Sequence, residues 1–126
     1  MTRPTPSGRR GRATPLPGKL VRGSRTGRPV MALLDLLGRR WALRLLWELR
    51  DARVATFRTL RADMDDVPPT ILNERLKDLR AAQLVDLGEA GYQLTSLGSQ
   101  LLEMLVPLGR WADRWAAALD RAPTPK

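Results

Sequence analysis

Two consecutive prolines, Pro68 and Pro69, cut the helical pattern of this chain more sharply than any other feature. A proline has no backbone N–H and a fixed φ, so it breaks a helix interior but suits the first position of a new helix. The segment TFRTLRADMDDV must therefore end before the pair, and TILNERLKDLRAA must start afresh from Pro69. In this second segment Leu72, Leu76, Leu79 and Gln83 fall on one side at about 100° per residue. Thr70, Glu74, Lys77 and Ala81 fall on the opposite side, and Asn73 flanks them. In the first segment Phe57 and Leu60 have the i, i+3 spacing of a buried seam. Two short amphipathic helices joined by a tight turn make a helix-turn-helix.

The flanking segments extend this unit. VMALLDLL, Val30 to Leu37, is apolar with helical spacing and stops at Gly38, a usual terminator. RRWALRLLWEL, Arg39 to Leu49, gives a second helix with Ala42, Leu45, Leu46 and Leu49 on one face. Leu43 and Trp47 lie off that face and need separate cover, so this helix has two neighbours. After the fourth helix, LVDLGEAGYQLT alternates as two strands, Leu84 to Leu87 and Tyr92 to Leu94, around a tight turn. Thr95 or Ser96 can cap a last helix running to about Leu119. Its apolar residues Leu97, Leu101, Leu105, Leu108, Ala112, Trp115 and Leu119 recur at steps of four and three, and Pro107 and Gly109 should bend it. The expected fold is mainly α with a small β-hairpin, a winged helix-turn-helix over residues 29–120 with N- and C-terminal dimerisation helices.

Charge is unevenly placed. Residues 1–28 hold Arg3, Arg9, Arg10, Arg12, Lys19, Arg22, Arg25 and Arg28 and no acid, leaving 14 of the 22 Lys+Arg to face all 13 Asp+Glu in the remainder. The first 28 residues have few large apolar side chains to offset ordering entropy, so a disordered basic tail is expected there, with a second disordered stretch at 121–126. Two readings of the basic tail remain: an arm lying on DNA phosphates or in a minor groove, or an extension without a role, including a start misplaced upstream of Met31.

There is no Cys and no His, which removes disulfides, thiol sensing, zinc fingers and imidazole chemistry. Asp65 and Asp66 are the only adjacent carboxylates, and a solvated turn explains them better than a catalytic pair. No apolar run approaches the roughly 20 residues of a membrane helix, and the N-terminus lacks a signal peptide's apolar core. The expectations are a cytoplasmic, non-enzymatic protein with no membrane partner and no cofactor or metal.

The ordered motifs RPV, LLDLLGRRWALRLLWELR, TFRTLR, VPPTILNERLKDLRAAQLV, YQLTSLG and PLGRWAD resemble an HxlR-type winged-helix transcriptional regulator, a relative of the MarR group, over about residues 28–116. The resemblance implies a homodimer on a roughly two-fold symmetric double-stranded DNA operator. It places base readout on Thr70, Asn73, Glu74 and Lys77, with Arg75 beside them. The face opposite the leucines agrees for those four, because only that side of a helix can meet base edges in a major groove. Arg75 lies toward the buried side, which suits a phosphate contact or a salt bridge. Arg58 and Arg61, on the outer side of the third helix, are candidate phosphate contacts.

The chain departs from the family pattern in four places. No Cys precedes the first helix, where RTGRPV stands. The short wing carries Glu89 in its GEAG tip, where a basic residue is common. Pro68 replaces a Ser cap, and the basic tail is longer.

The Leu-rich last helix is expected to form the dimer interface through Leu101, Leu105, Leu108, Trp111 and Trp115. Trp41, Trp47, Trp111 and Trp115 fill core and interface, or wall a pocket for a small apolar effector. The near-neutral core, the acidic wing tip and Glu74 in the reading face motivate an alternative function, a winged-helix protein-interaction module that no longer binds specific DNA.

Overall fold

A computed structural model describes residues 13–121. In chain order these form α1 (Pro29–Leu37), α2 (Ala42–Glu48), α3 (Phe57–Asp63), α4 (Pro69–Ala81), β1 (Val85–Gly88), β2 (Gly91–Leu94) and α5 (Ser96–Arg121). This is a winged helix-turn-helix: α3 and α4 are the two helices of the motif and β1–β2 is the wing. The core lies between them. Leu45 and Leu46 of α2 and Leu49 at its C-cap meet Leu60 of α3, Met64 and Val67 of the turn, and Leu72, Leu76 and Leu79 of α4. Each of these leucines is essentially inaccessible, and full burial of a Leu contributes roughly 1.5–3 kcal/mol. Leu43 and Trp47 lie off the apolar face of α2 as their phase indicates, but the separate cover expected for them is incomplete: they are 47% and 45% exposed.

The connections explain where the elements begin and end. Helix α2 starts at Ala42 and not at Arg39, because Trp41 before it is left-handed at φ 75°. That conformation costs a bulky residue about 1–2 kcal/mol, and packing of the half-buried indole against the core offsets it. Between α3 and α4, Asp65 and Asp66 are both left-handed, at φ 57° and 56°, a region that Asp tolerates better than most side chains. The Asp66 N–H donates to the Arg61 carbonyl (2.9 Å) and the Val67 N–H to that of Met64 (3.2 Å). The buried Val67 side chain then pins the turn. Pro68 is the N-cap of α4 and Pro69 its first residue, so neither proline removes a hydrogen bond from the helix. Thr56 caps α3, its hydroxyl accepting from the Thr59 N–H.

Helix α4 stops at Ala81. Gln83, expected on its apolar side, is exposed and left-handed at φ 62° beyond the helix, where the Leu84 N–H turns back to the Leu79 carbonyl (2.9 Å). The antiparallel wing pairs Val85 with Leu94 and Gly88 with Gly91. Its first strand therefore begins one residue later than the alternation suggests, and both glycines belong to the ladder. Ala55, ahead of α3, adds a bridge that sequence alone does not show: its N–H and carbonyl both pair with Tyr92, at 2.9 and 2.8 Å. This ties the root of the wing to the start of the helix-turn-helix. Gly91 must be glycine here, since its φ is +142° and a Cβ would lie 2.6 Å from the Ala55 carbonyl oxygen.

Helix α5 is capped by Thr95, whose hydroxyl accepts from the Gly98 N–H (3.0 Å) and donates to the Gln83 carbonyl (2.7 Å). It continues through Pro107 to Arg121, so Arg121, expected to begin the disordered C-terminal stretch, is helical. The N-terminal expectation needs a larger correction. Residues 13–28 are a strap packed on the domain, with Pro15 and Val21 buried. The Gly18 N–H donates to the Gly27 carbonyl (2.9 Å), and the Arg22 N–H reaches Asp35 of α1 (3.0 Å). What holds it is a few buried apolar side chains of its own together with polar side chains of the domain far along the sequence, and composition misses the latter. The rest of that expected tail, residues 1–12, and residues 122–126 lie outside the described residues.

Candidate nucleic-acid interface

Helix α4 divides its residues between two environments. Leu72, Leu76 and Leu79 anchor one side in the core, so Thr70, Asn73 and Lys77 are exposed on the other. Glu74 is half-buried at the margin of this row, 3.5 Å from the Arg75 guanidinium. Arg80, seven residues after Asn73 and so on the same face, is exposed and extends the row. It was not singled out from sequence, although two helical turns of spacing contained the signal. Arg58 is exposed on α3. Arg61 is half-buried and its Nε donates to the Val67 carbonyl (2.9 Å), so part of that guanidinium fixes the turn into α4.

Arg75 does not join the exposed row. It turns back along the helix to Asp78, the only buried charged residue among those described. Arg39, from the turn between α1 and α2, reaches the same carboxylate at 3.1 Å. The Thr14 hydroxyl of the strap donates to the other oxygen at 2.7 Å, and Arg39 also donates to the Ala13 carbonyl at 2.8 Å. Asp78 is thus the point where the strap, the α1–α2 turn and α4 meet. Sequence hinted at the Arg75–Asp78 spacing, but no local pattern connects Thr14 or Arg39 to them.

A second ionic cluster braces α2 against α3. Arg44 donates to Glu48 (2.9 Å), to Asp65 (3.3 Å) and to the Asp63 carbonyl (2.8 Å), while Arg53 bridges Glu48 and Asp63. The hydrogen bonds to Glu48 and then Asp65 raise the pKa of Arg44 above its ordinary value, so it stays cationic. The two clusters fix the angle of the helix-turn-helix without occupying the exposed row on α4.

The wing tip, Glu89 and Ala90, is exposed and carries no base. Helix α5 buries only Gly98 fully. Leu101 and Leu105 pack against the core, whereas Leu108, Trp111 and Trp115 are each about half exposed, with the two indoles stacked at 5.9 Å. The four tryptophans do not form one pocket. Trp41 belongs to the core, and Trp111 and Trp115 stack on each other. Trp47 alone of the four lines a groove of about 390 Å³ between α2 and α5, with Leu102, Leu105, Val106, Arg110 and Asp113. No helix among the described residues is long and apolar enough to cross a membrane.

Comparison with known proteins agrees with this architecture. The HxlR-like helix-turn-helix family profile matches residues 36–120. An uncharacterised HTH-type transcriptional regulator of Methanocaldococcus jannaschii is 25% identical over 92 residues, covering 70% of this chain and 86% of the relative. Among solved structures, quinone-bound YodB of B. subtilis superposes with a TM-score of 0.64 and 27% identity, over 68% of this chain and 96% of its own. A possible HxlR family transcriptional factor of Thermoplasma volcanium gives 0.58 and 28%, over 75% and 86%. The chain belongs to the HxlR-like helix-turn-helix family of DNA-binding transcriptional regulators.

Proposed function

We propose that the protein is a sequence-specific transcriptional regulator that binds double-stranded DNA as a homodimer, with α4 in the major groove. The observation that carries this reading is the exposed row Thr70, Asn73 and Lys77, held outward by three buried leucines on the opposite side of the same helix. Asn73 suits adenine, Lys77 guanine or phosphate, and Glu74 can accept from cytosine. Arg58 contributes a phosphate contact that sets register, and Arg61 a weaker one because its Nε already holds the turn. Arg75 is given the salt-bridge role and no phosphate. A double proline at the start of α4 offers no N–H there to a phosphate, so side chains carry the anchoring.

Homodimer formation is supported by Leu108, Trp111 and Trp115, apolar side chains that the chain itself leaves half exposed on one long helix. Monomers rarely leave such a face uncovered. A two-fold dimer places half-sites about one helical turn apart, roughly 34 Å. The quinone held by YodB supports a small apolar effector for this protein too, seated in the groove beside Trp47. These properties fit a cytoplasmic protein.

Mapping of the bound sites in the cell, followed by footprinting of the strongest one, tests the proposal. Protection of two related half-sites one turn apart is expected. Protection without sequence preference would instead favour a winged-helix module whose partners are proteins.

A further inference from the structure

A hydroxyl of the strap ends, two contacts later, at a side chain of the exposed row on α4. The Thr14 hydroxyl donates to Asp78 Oδ1 at 2.7 Å, while Arg39 at 3.1 Å and Arg75 both donate to Oδ2. The terminal torsion of an Asp side chain is soft, so donors crowded on one oxygen leave the carboxylate plane free to turn. A donor on the other oxygen stops it. Arg75 passes this orientation on: its Nη1 holds Asp78, and its Nη2 lies 3.5 Å from Glu74 Oε1. A guanidinium is a rigid planar fork, so turning one nitrogen turns the other. We infer that Thr14 is a positioning residue for DNA readout, which through Asp78 and Arg75 holds the Glu74 carboxylate at the margin of the exposed row and so sets the preference for cytosine at one base pair.

The strap delivers Thr14 to this contact with structure on both sides of it. The Ala13 carbonyl accepts from Arg39 at 2.8 Å, Pro15 is buried, and further on the Arg22 N–H closes the strap against Asp35 of α1. At the other end of the relay, the angle of Arg75 rests on its two acids alone. Its Nε is buried without a hydrogen-bond partner among the described residues. A buried donor left unmet is costly, so a guanidinium freed from Asp78 has a bond to gain by turning, and Glu74 loses its neighbour as it turns. Glu74 is a long side chain with 31% exposure, and without that neighbour it returns to several rotamers and reads a base less sharply. Thr14 lies outside the stretch that the family profile matches, residues 36–120. The brace thus comes to the shared motif from the N-terminal segment of this chain. Thr14 is neutral and its hydroxyl is spent on Asp78, so the relay acts on base preference and not on phosphate attraction.

The inference rests on α4 as the reading helix, but its test separates the two. Mobility shifts would be measured on the mapped operator and on duplexes in which each base pair of a half-site is changed in turn. The full-length proteins are the wild type, Thr14→Val, Thr14→Ala, Thr14→Ser, Glu74→Gln and Asn73→Ala. Glu74→Gln marks the base pair that Glu74 reads, as the one where the mismatch penalty changes. A mismatch there weakens wild-type binding by at least about fivefold, and Thr14→Val should shrink that penalty by about threefold or more. The penalty at the base pair marked by Asn73→Ala and the salt slope should stay as in the wild type, and Thr14→Val should add nothing in a Glu74→Gln background. Thr14→Ser keeps the hydroxyl and should restore the wild-type pattern. Thr14→Ala, which brings no methyl group to the carboxylate, carries the test if Thr14→Val does not fold. Wild-type penalties at every base pair in the folded Thr14 variants would overturn the inference. So would an equal loss at all base pairs, the mark of a merely structural role, or a failure of Thr14→Ser to restore the pattern. A changed preference in Asn73→Ala with none in Glu74→Gln would overturn the relay and leave α4 as the reading helix. Unchanged preference in both would remove the α4 reading and the relay together.

Discussion

The guanidinium of Arg39 and the carboxylate of Asp78, 39 residues apart in sequence, meet at 3.1 Å in the interior of the protein. Arg75 shares the same carboxylate and Thr14 caps its other oxygen. Together with the leucines of α4, this contact fixes the rotation of the helix about its own axis. A rotation of one residue would move Asn73 and Lys77 by about 100°, so the network sets which side chains face a groove.

Asp78→Ala removes the one acid that two poorly exposed arginines share, leaving Arg75 with the longer Glu74 contact (3.5 Å) and depriving Arg39 of this ion pair. Breaking a buried pair in this way costs about 3–5 kcal/mol, and the lower end is expected because Arg39 retains 15% and Arg75 13% side-chain exposure. Thr14→Val removes a single charge-assisted hydrogen bond and should cost about 1.5–3 kcal/mol at most. Urea denaturation of the two variants checks both the size and the order.

Gly98 of α5 lies against the backbone of Leu84, where an added Cβ would fall 2.1 Å from the carbonyl oxygen. That oxygen accepts from the Thr95 N–H (3.0 Å) and has little freedom to retreat. Gly98→Ala therefore separates α5 from the end of α4, with a loss of about 1–3 kcal/mol despite the better helix propensity of Ala. Thermal unfolding should show it as a lowered midpoint.

Leu108 and Trp115 are 56% and 53% exposed, so a charge at either disturbs no core contact of the single chain. Leu108→Glu and Trp115→Glu should leave the circular dichroism spectrum nearly unchanged and shift sedimentation from dimer to monomer. Operator affinity should fall at least tenfold in both, since a single half-site retains only part of the contacts. A dimer that persists in both variants would place the interface elsewhere.

Trp47 lines the α2–α5 groove and carries Arg50 over its ring at 4.1 Å. A simple quinone titrated into the protein should quench fluorescence in the wild type and much less in Trp47→Phe. Equal quenching in both would remove that groove as the effector seat.

The sequence disclosed the elements better than their joints. Periodicity located all four short helices, the hairpin and the long helix, and set Leu43 and Trp47 off the main face of α2, because each rests on local spacing; the full cover expected for those two is absent in the single chain. It missed the left-handed Trp41 that delays α2 and the Ala55–Tyr92 bridge, since neither has a local pattern. The strap at residues 13–28 has the composition of a disordered segment, yet Asp78, Arg39 and Asp35, residues far along the chain, hold it alongside its buried Pro15 and Val21. For the candidate site, the outward set Thr70, Asn73 and Lys77 was legible as the side opposite three leucines. Arg75 was ambiguous because its direction depends on Asp78, whose burial no single-helix pattern reveals.

The most direct test of the central claim compares Asn73→Ala and Lys77→Ala with the wild type by mobility shift on the mapped operator and on random DNA at several salt concentrations. Asn73→Ala should lose about 1–3 kcal/mol on the operator and much less on random duplex. Lys77→Ala, if its contact is a phosphate, should weaken both alike and flatten the salt slope by about 1 per protomer. Wild-type affinity and unaltered sequence preference in both variants would contradict the assignment of α4 as the reading helix.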